Sequence, residues 1–264
     1  MPYRIDLADA GVEAIDQLID LGALDVEHVD ARRIAAVMPD HVAADEIERS
    51  LGVTGVRISP AVGRDADSTW VLRPRTVRVG RIRIAPGLVE AEHGVLRLID
   101  APAFGTGLHP TTALCLEAID DVMLSDVPHA VLDVGTGSGV LALAALLLGV
   151  PRATGLDIDD ESLRIAVANA HLNGLSDRVE LTRGGPDAVT GTWPLVLANI
   201  VPASLIDMAP ALVRRIGHGG QIVLSGIPVS LEQDVARAYQ RLGLRRREVK
   251  SSGGWIALIM NATW

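Results

Sequence analysis

The chain has 264 residues, a formal net charge of −9, 48% apolar residues and 22% charged ones. That is enough apolar material for one large domain or two, and the acid excess argues against a general nucleic-acid binder, which carries a basic footprint. Cys115, the single cysteine, excludes an internal disulfide and a cysteine-based zinc site, and the longest apolar run, residues 140–150, is too short to span a bilayer. The first residues, MPYRIDLADAGVEAID, carry acids where a secretory signal needs a continuous apolar stretch. A soluble, cytoplasmic protein is expected, with a core of Leu, Val, Ile and Ala because aromatics make up only 3%.

In chain order, residues 3–7 alternate as a short strand, and Asp9 stands where it can cap a helix whose Val12, Ile15, Leu18 and Ile19 share one face. Residues 24–29 and 34–38 read as strands, 43–51 as a helix stopped by Gly52, and 56–62 as a further strand. This β-α-β-β-α-β order is the ferredoxin-like split arrangement, so residues 1–62 form a small α+β domain. Residues 1–70 hold 14 acids against 6 arginines, which makes either a solvated acidic surface or a face that receives a basic partner. Residues 63–99 form a connector with five arginines and no acid from Arg73 to Arg83. Residues 77–84 read as one strand with a buried and a guanidinium-bearing side, 85–94 as turns and 95–99 as a strand.

The domain from 100 to 264 opens on a loop that packing does not require: Phe104, Gly105, Thr106, Gly107, Leu108, His109, Pro110, Thr111 and Thr112, entering a helix with Leu114, Leu116 and Ile119. Threonine hydroxyls and free amides at a helix start suit a carboxylate. Residues 129–157 then read as strand, glycine loop, helix, strand, acid. Glycines at 135, 137 and 139 allow a sharp turn and close approach to a ligand, and Asp157 can accept hydrogen bonds from both hydroxyls of a ribose. The dinucleotide fingerprint G-x-G-x-x-G places its third glycine where this chain has Val140. The pattern here is D-x-G-x-G-x-G instead.

Downstream, 160–175 reads as helix, 178–182 as strand, and 195–198 as an apolar strand running into Asn199. A polar side chain at the carboxyl end of a buried strand points to the ligand crevice of a doubly wound sheet. Helix 203–216, strand 221–227, helix 231–242 and a hairpin of 245–250 with 255–260 complete the pattern. No clustered His/Asp/Glu set marks a metal, and Cys115 lies inside a predicted helix.

The glycine unit with Asp157 resembles the first motif of class I S-adenosylmethionine-dependent methyltransferases. With AFGTGLHPTT, VLDVGTGSGVLALAALLLG, GLDID and LANI in place, the chain is similar to the ribosomal protein L-eleven methyltransferase family, which methylates lysine and terminal amines of a large-subunit ribosomal protein. The resemblance covers roughly residues 65–264, and residues 1–62 agree with it in layout. It implies an α/β fold: a doubly wound, Rossmann-like class I methyltransferase sheet with a C-terminal antiparallel hairpin, after a ferredoxin-like domain that recognises substrate. It further implies S-adenosylmethionine as cofactor and a basic ribosomal protein as partner, with no metal, no membrane and no direct nucleic-acid contact. Carried over by residue, Thr112, Gly135, Asp157 and Asn199 contact the cofactor, Gly137 and Gly139 shape the loop beneath it, and Phe104 joins the cofactor side. Thr106 and His109 fall beside the reacting end, where Asn199 orients the amine. Leu108 stands where the family usually has threonine, and Asp100-Ala101-Pro102 replaces its D-P-G. Both departures fall near the acceptor, so a small amine or natural-product peptide is the alternative substrate.

Overall fold

The computed structural model describes residues 3–8, 13–30, 33–60, 76–90, 92, 94–99, 109–252 and 254–264. Two compact units divide the chain, one of residues 1–73 with 108–110, the other of residues 74–107 with 111–264. The division falls inside the segment expected as a connector.

In the first unit, β1 (Tyr3–Ala8), α1 (Glu13–Asp20), β2 (Asp25–Asp30), β3 (Arg33–Met38), α2 (Ala44–Leu51) and β4 (Arg57–Pro60) follow one another. The strands form one antiparallel sheet in the order β2-β3-β1-β4. Period-two alternation sends Ile5 and Leu7 of β1, and Ile34, Ala36 and Met38 of β3, into a core shared with Leu18 and Ile47 of the helices. Gly52 ends α2 with φ +65°, and Glu48 Oε1 then accepts from Gly55 N at 2.7 Å and Val56 N at 3.0 Å, turning the chain into β4.

The second unit begins with a three-stranded sheet of β5 (Val77–Val79), β6 (Ile82–Pro86) and β7 (Val95–Leu98). The single strand expected over 77–84 is therefore a hairpin. Gly80, at φ +55°, turns it, and Asp120 receives the turn: Arg81 N donates to Oδ2 at 3.1 Å and Arg81 Nε to Oδ1 at 2.6 Å. Then come α3 (Pro110–Ser125), β8 (Ala130–Val134), α4 (Val140–Leu147), β9 (Arg152–Asp157), α5 (Asp160–Leu172), β10 (Val179–Arg183), β11 (Trp193–Asn199), α6 (Pro202–Asp207), α7 (Ala209–Val213), β12 (Ile216–Pro228), α8 (Glu232–Gln240), β13 (Leu244–Ser252) and β14 (Trp255–Ala262). The helix expected over 203–216 is two short ones. Pro210, in the first turn of α7, has no N–H to donate to the Ile206 carbonyl and its ring crowds that carbonyl, so a continuous helix cannot run through it and the run breaks at Met208.

The seven-stranded sheet has the order β10-β9-β8-β11-β12-β14-β13, with β14 antiparallel to both neighbours. Its central strands are buried on both faces, as a parallel sheet between helix layers requires. Val131, Leu195, Leu197 and Val223 face the core that holds α3 and α4. Leu132, Val134, Val196 and Leu224 face the one that holds α6, α7 and α8. Asn169 of α5 and Asn173 at its C-terminal cap clasp β7 and the residue after it: Asn169 Oδ1 accepts from Ile99 N at 2.8 Å, while Asn173 accepts from Arg97 N at 2.8 Å and donates to Arg97 O at 2.7 Å. No helix among the described residues is long and apolar enough to cross a membrane.

Candidate active site

The order of strands reverses between β8 and β11, and at their carboxyl ends lies the crevice where open α/β sheets take ligands. After β8 the chain passes through Gly135, Gly137 and Gly139 at φ of +73°, +54° and +81°, a region that side chains with a Cβ avoid. At Gly135 the need is also spatial, because a Cβ there would overlap Cγ2 of Ile200. The loop is pinned to the next strand: Gly135 N and Thr136 N donate to Leu156 O at 2.8 and 2.9 Å, and Gly137 N donates to Asp157 Oδ2 at 2.8 Å. Asp157 Oδ1 accepts from Asp159 N at 3.1 Å. The carboxylate that ends β9 is thus held on both oxygens, with lone pairs remaining for a diol.

Asp133, the first letter of D-x-G-x-G-x-G, is completely buried in β8. Its Oδ2 accepts from Thr136 Oγ1 at 2.8 Å and Ala142 N at 3.3 Å, tying the glycine loop to the first turn of α4. Oδ1 has no hydrogen-bond partner, and burial pushes the carboxyl up to about 7. The sequence reading gave this residue no role, although an acid inside an apolar strand was the signal available.

Asn199 ends β11 and is 9% exposed. Its Nδ2 donates to Thr112 Oγ1 at 3.5 Å, joining residues 87 apart in sequence, and its Oδ1 is buried with no partner. An unmet buried carbonyl costs about 1–3 kcal/mol, a penalty that an amine or ammonium of a bound ligand would relieve. Gly226 makes this arrangement possible, since a Cβ there would overlap the Ile200 carbonyl.

Of the remaining expected residues, His109 belongs with the first unit, and burial lowers its pKa to about 4. It is neutral at pH 7 and a weak base. Phe104 and Thr106 lie outside the described residues. Cys115 is buried, and burial raises its thiol far above the usual range, so it offers no nucleophile. Among the described residues no group of three His, Cys, Asp or Glu could hold a metal ion.

A glycine loop pinned beneath a fixed carboxylate, and a strand-end asparagine facing the same crevice, define the class: a Rossmann-like methyltransferase. The family model of ribosomal protein L11 methyltransferase (PrmA) matches residues 24–263. A ribosomal protein L11 methyltransferase from Pelobacter propionicus is 40% identical over 76% of this chain and 68% of its own length, and one from Myxococcus xanthus is 34% identical over 98% and 97%. The crystal structure of ribosomal protein L11 methylase from Lactobacillus delbrueckii subsp. bulgaricus superposes with a TM-score of 0.66 at 30% identity, covering 72% of this chain and all of that one. The chain belongs to the ribosomal protein L11 methyltransferase family. It is an S-adenosylmethionine-dependent methyltransferase.

Proposed function

We propose that the protein transfers methyl groups to lysine side chains or α-amino groups of a large-subunit ribosomal protein, in the cytoplasm. The observation that carries the reading is the unpartnered Oδ1 of Asn199, buried at the carboxyl end of β11 beside Thr112. An acceptor of hydrogen bonds fits an amine there. The relatives are ribosomal protein L11 methyltransferases, which supports a ribosomal protein as the substrate.

S-adenosylmethionine supplies an electrophilic methyl group on a sulfonium. Asp157 would accept from the ribose hydroxyls, the glycine loop would admit the ligand without a Cβ in the way, and Thr112 would receive the methionine end. Asn199 orients an amine by accepting one of its hydrogens and leaves the lone pair free for in-line attack. It cannot remove a proton, and His109, held near 4, is too weak a base to take one from an ammonium of pKa about 10.4. The ammonium therefore loses its proton to solvent, and turnover at subsaturating amine rises with pH through the neutral range with no limb near 6.5. Thr106, Phe104 and His109 stay on the acceptor and cofactor side by family resemblance.

The N-terminal unit, with the ferredoxin-like strand order β2-β3-β1-β4 and the acid excess of residues 1–70, serves as the holder of a basic protein substrate. The test is incubation with isotope-labelled S-adenosylmethionine and total ribosomal proteins. Label on one large-subunit protein supports the proposal. Tight cofactor binding with no protein labelled would overturn the acceptor and turn attention to a small amine or natural-product peptide.

A further inference from the structure

The other end of the sheet carries a second feature. Leu195, Gln221, Asn261 and Arg245 form one cross-strand row through β11, β12, β14 and β13. That row lies at the amino end of the parallel strands, about 13 Å along them from the Asn199 end. Arg245, Arg246 and Arg247 stand on the edge strand and, with Asn261, Ala262 and Thr263, line a groove of about 640 Å³. Arg246 is neutralised by Glu232, with Nη1 at 2.6 Å from Oε1. The other two keep their charge: Arg247 Nη1 donates only to the neutral amide oxygen of Gln221 at 3.2 Å, and Arg245 makes no hydrogen bond or ion pair with any described residue. In a chain of net charge −9, two uncompensated guanidiniums in one groove make a local cationic site. Asn261 Oδ1 lies buried there with no partner. Beside the groove Trp264 presents an indole that is 40% exposed and packed over Gly243, where an added Cβ would stand 3.3 Å from the ring.

We propose that this edge of the catalytic unit binds single-stranded RNA: Arg245 and Arg247 contact the phosphates, and a base stacks on Trp264. Two cationic guanidiniums in one groove can contact successive phosphates of a backbone, and an exposed aromatic takes any base on its face. The indole is what favours RNA over an acidic peptide, which needs the charges alone. The unmet Asn261 oxygen suits a donor such as a ribose 2′-hydroxyl. The overall acidity of the chain still excludes general nucleic-acid binding; the proposed contact is one groove. It does not rest on the acceptor proposed above.

Fluorescence anisotropy of a short labelled single-stranded RNA, titrated at several salt concentrations, tests it. Wild type binds at low salt, and affinity falls as salt rises, with a slope of about −0.7 per phosphate contacted. The Arg245→Gln/Arg247→Gln variant binds about tenfold or more weakly, with a slope flatter by about 1.4, and Trp264→Ala weakens binding about fivefold or more. An Arg164→Gln/Arg237→Gln control with the same change in charge binds RNA as wild type does. All variants keep wild-type affinity for S-adenosylmethionine, which shows that they fold. Absence of binding by wild type at the lowest salt, or undiminished binding by Arg245→Gln/Arg247→Gln, overturns the proposal. Displacement of the RNA by polyglutamate at equal charge would also overturn it, in favour of an acidic protein partner.

Discussion

Substituting Gly135 by alanine tests the architecture of the crevice at its tightest point. Two costs are separable. Holding alanine at φ +73° costs about 1–2 kcal/mol, and forcing its Cβ into the space of Ile200 Cγ2 costs about 1–3 kcal/mol more. Ile200 follows Asn199 directly, so relief of the overlap moves the Asn199 amide proposed to face the ligand, and cofactor affinity is expected to fall about tenfold or more. Urea unfolding and calorimetric titration with S-adenosylmethionine read the two effects in the same four proteins: wild type, Gly135→Ala, Ile200→Ala and the double variant. Ile200→Ala vacates the contested space, so the double variant recovers the packing cost and retains only the conformational one. The cycle then shows a coupling of about 1–3 kcal/mol. Strict additivity of the two substitutions would refute the reasoning, because it would mean that loop and strand end do not compete for space.

Asp157→Ala removes the carboxylate proposed to accept two ribose hydrogen bonds, each worth about 1.5–3 kcal/mol to a charged group, so affinity for S-adenosylmethionine should drop roughly 100-fold to 10,000-fold; unchanged affinity in a calorimetric titration would disprove the assignment. Asp133 has a native pKa of about 7, above its unfolded value of 3.8, so the native state binds the proton more tightly and stability falls as pH rises between those values. Asp133→Asn should flatten that slope, gaining on wild type by up to about 4 kcal/mol between pH 4 and pH 8; a difference in unfolding free energy that stays constant with pH would contradict it. His109 runs the other way: its native pKa of about 4 lies below 6.5, so it contributes stability above pH 6.5 that is lost as pH falls toward 4. His109→Gln should make acid unfolding less steep, as followed by circular dichroism. Asp120→Ala strips Arg81 N and Nε of their acceptor at the β5–β6 turn and should cost about 1–3 kcal/mol in urea unfolding, with the methyltransferase crevice intact by cofactor titration.

The glycine loop was legible because the requirement is local: each of Gly135, Gly137 and Gly139 has its own positive φ, and spacing alone records that. Strands such as β8 and β11 were legible as short apolar runs. The β5–β6 hairpin was misread although its signal was present. Apolar residues fall at 77 and 79, then at 82 and 84, and the change of parity at Gly80-Arg81 is what a turn between two strands requires. The break between α6 and α7 was written in Pro210 and lost among the apolar periodicity around it. By contrast, each of Thr112 and Asn199 could be pointed toward a ligand separately, by its place at a helix start or a strand end, but nothing local ties the two to each other. The clasp of β7 by Asn169 and Asn173 was invisible for the same reason, since its partners lie 70 and 76 residues away.

The position of β14 carries a consequence for how the molecule is made. β14 follows β13 in the chain yet lies between β12 and β13 in the sheet. A nascent chain that has delivered β13 has no place to add it, because the edge of β12 must first accept residues 255–262, which come later. Until then β12 exposes an unpaired apolar edge, including Ile222 and Leu224, of the kind that recruits stray strands. The catalytic sheet therefore closes in a single late event, in which β13 and β14 enter together as a preformed hairpin. A stalled or truncated chain would present a glycine loop and an Asp157 in good order on a sheet with one sticky side.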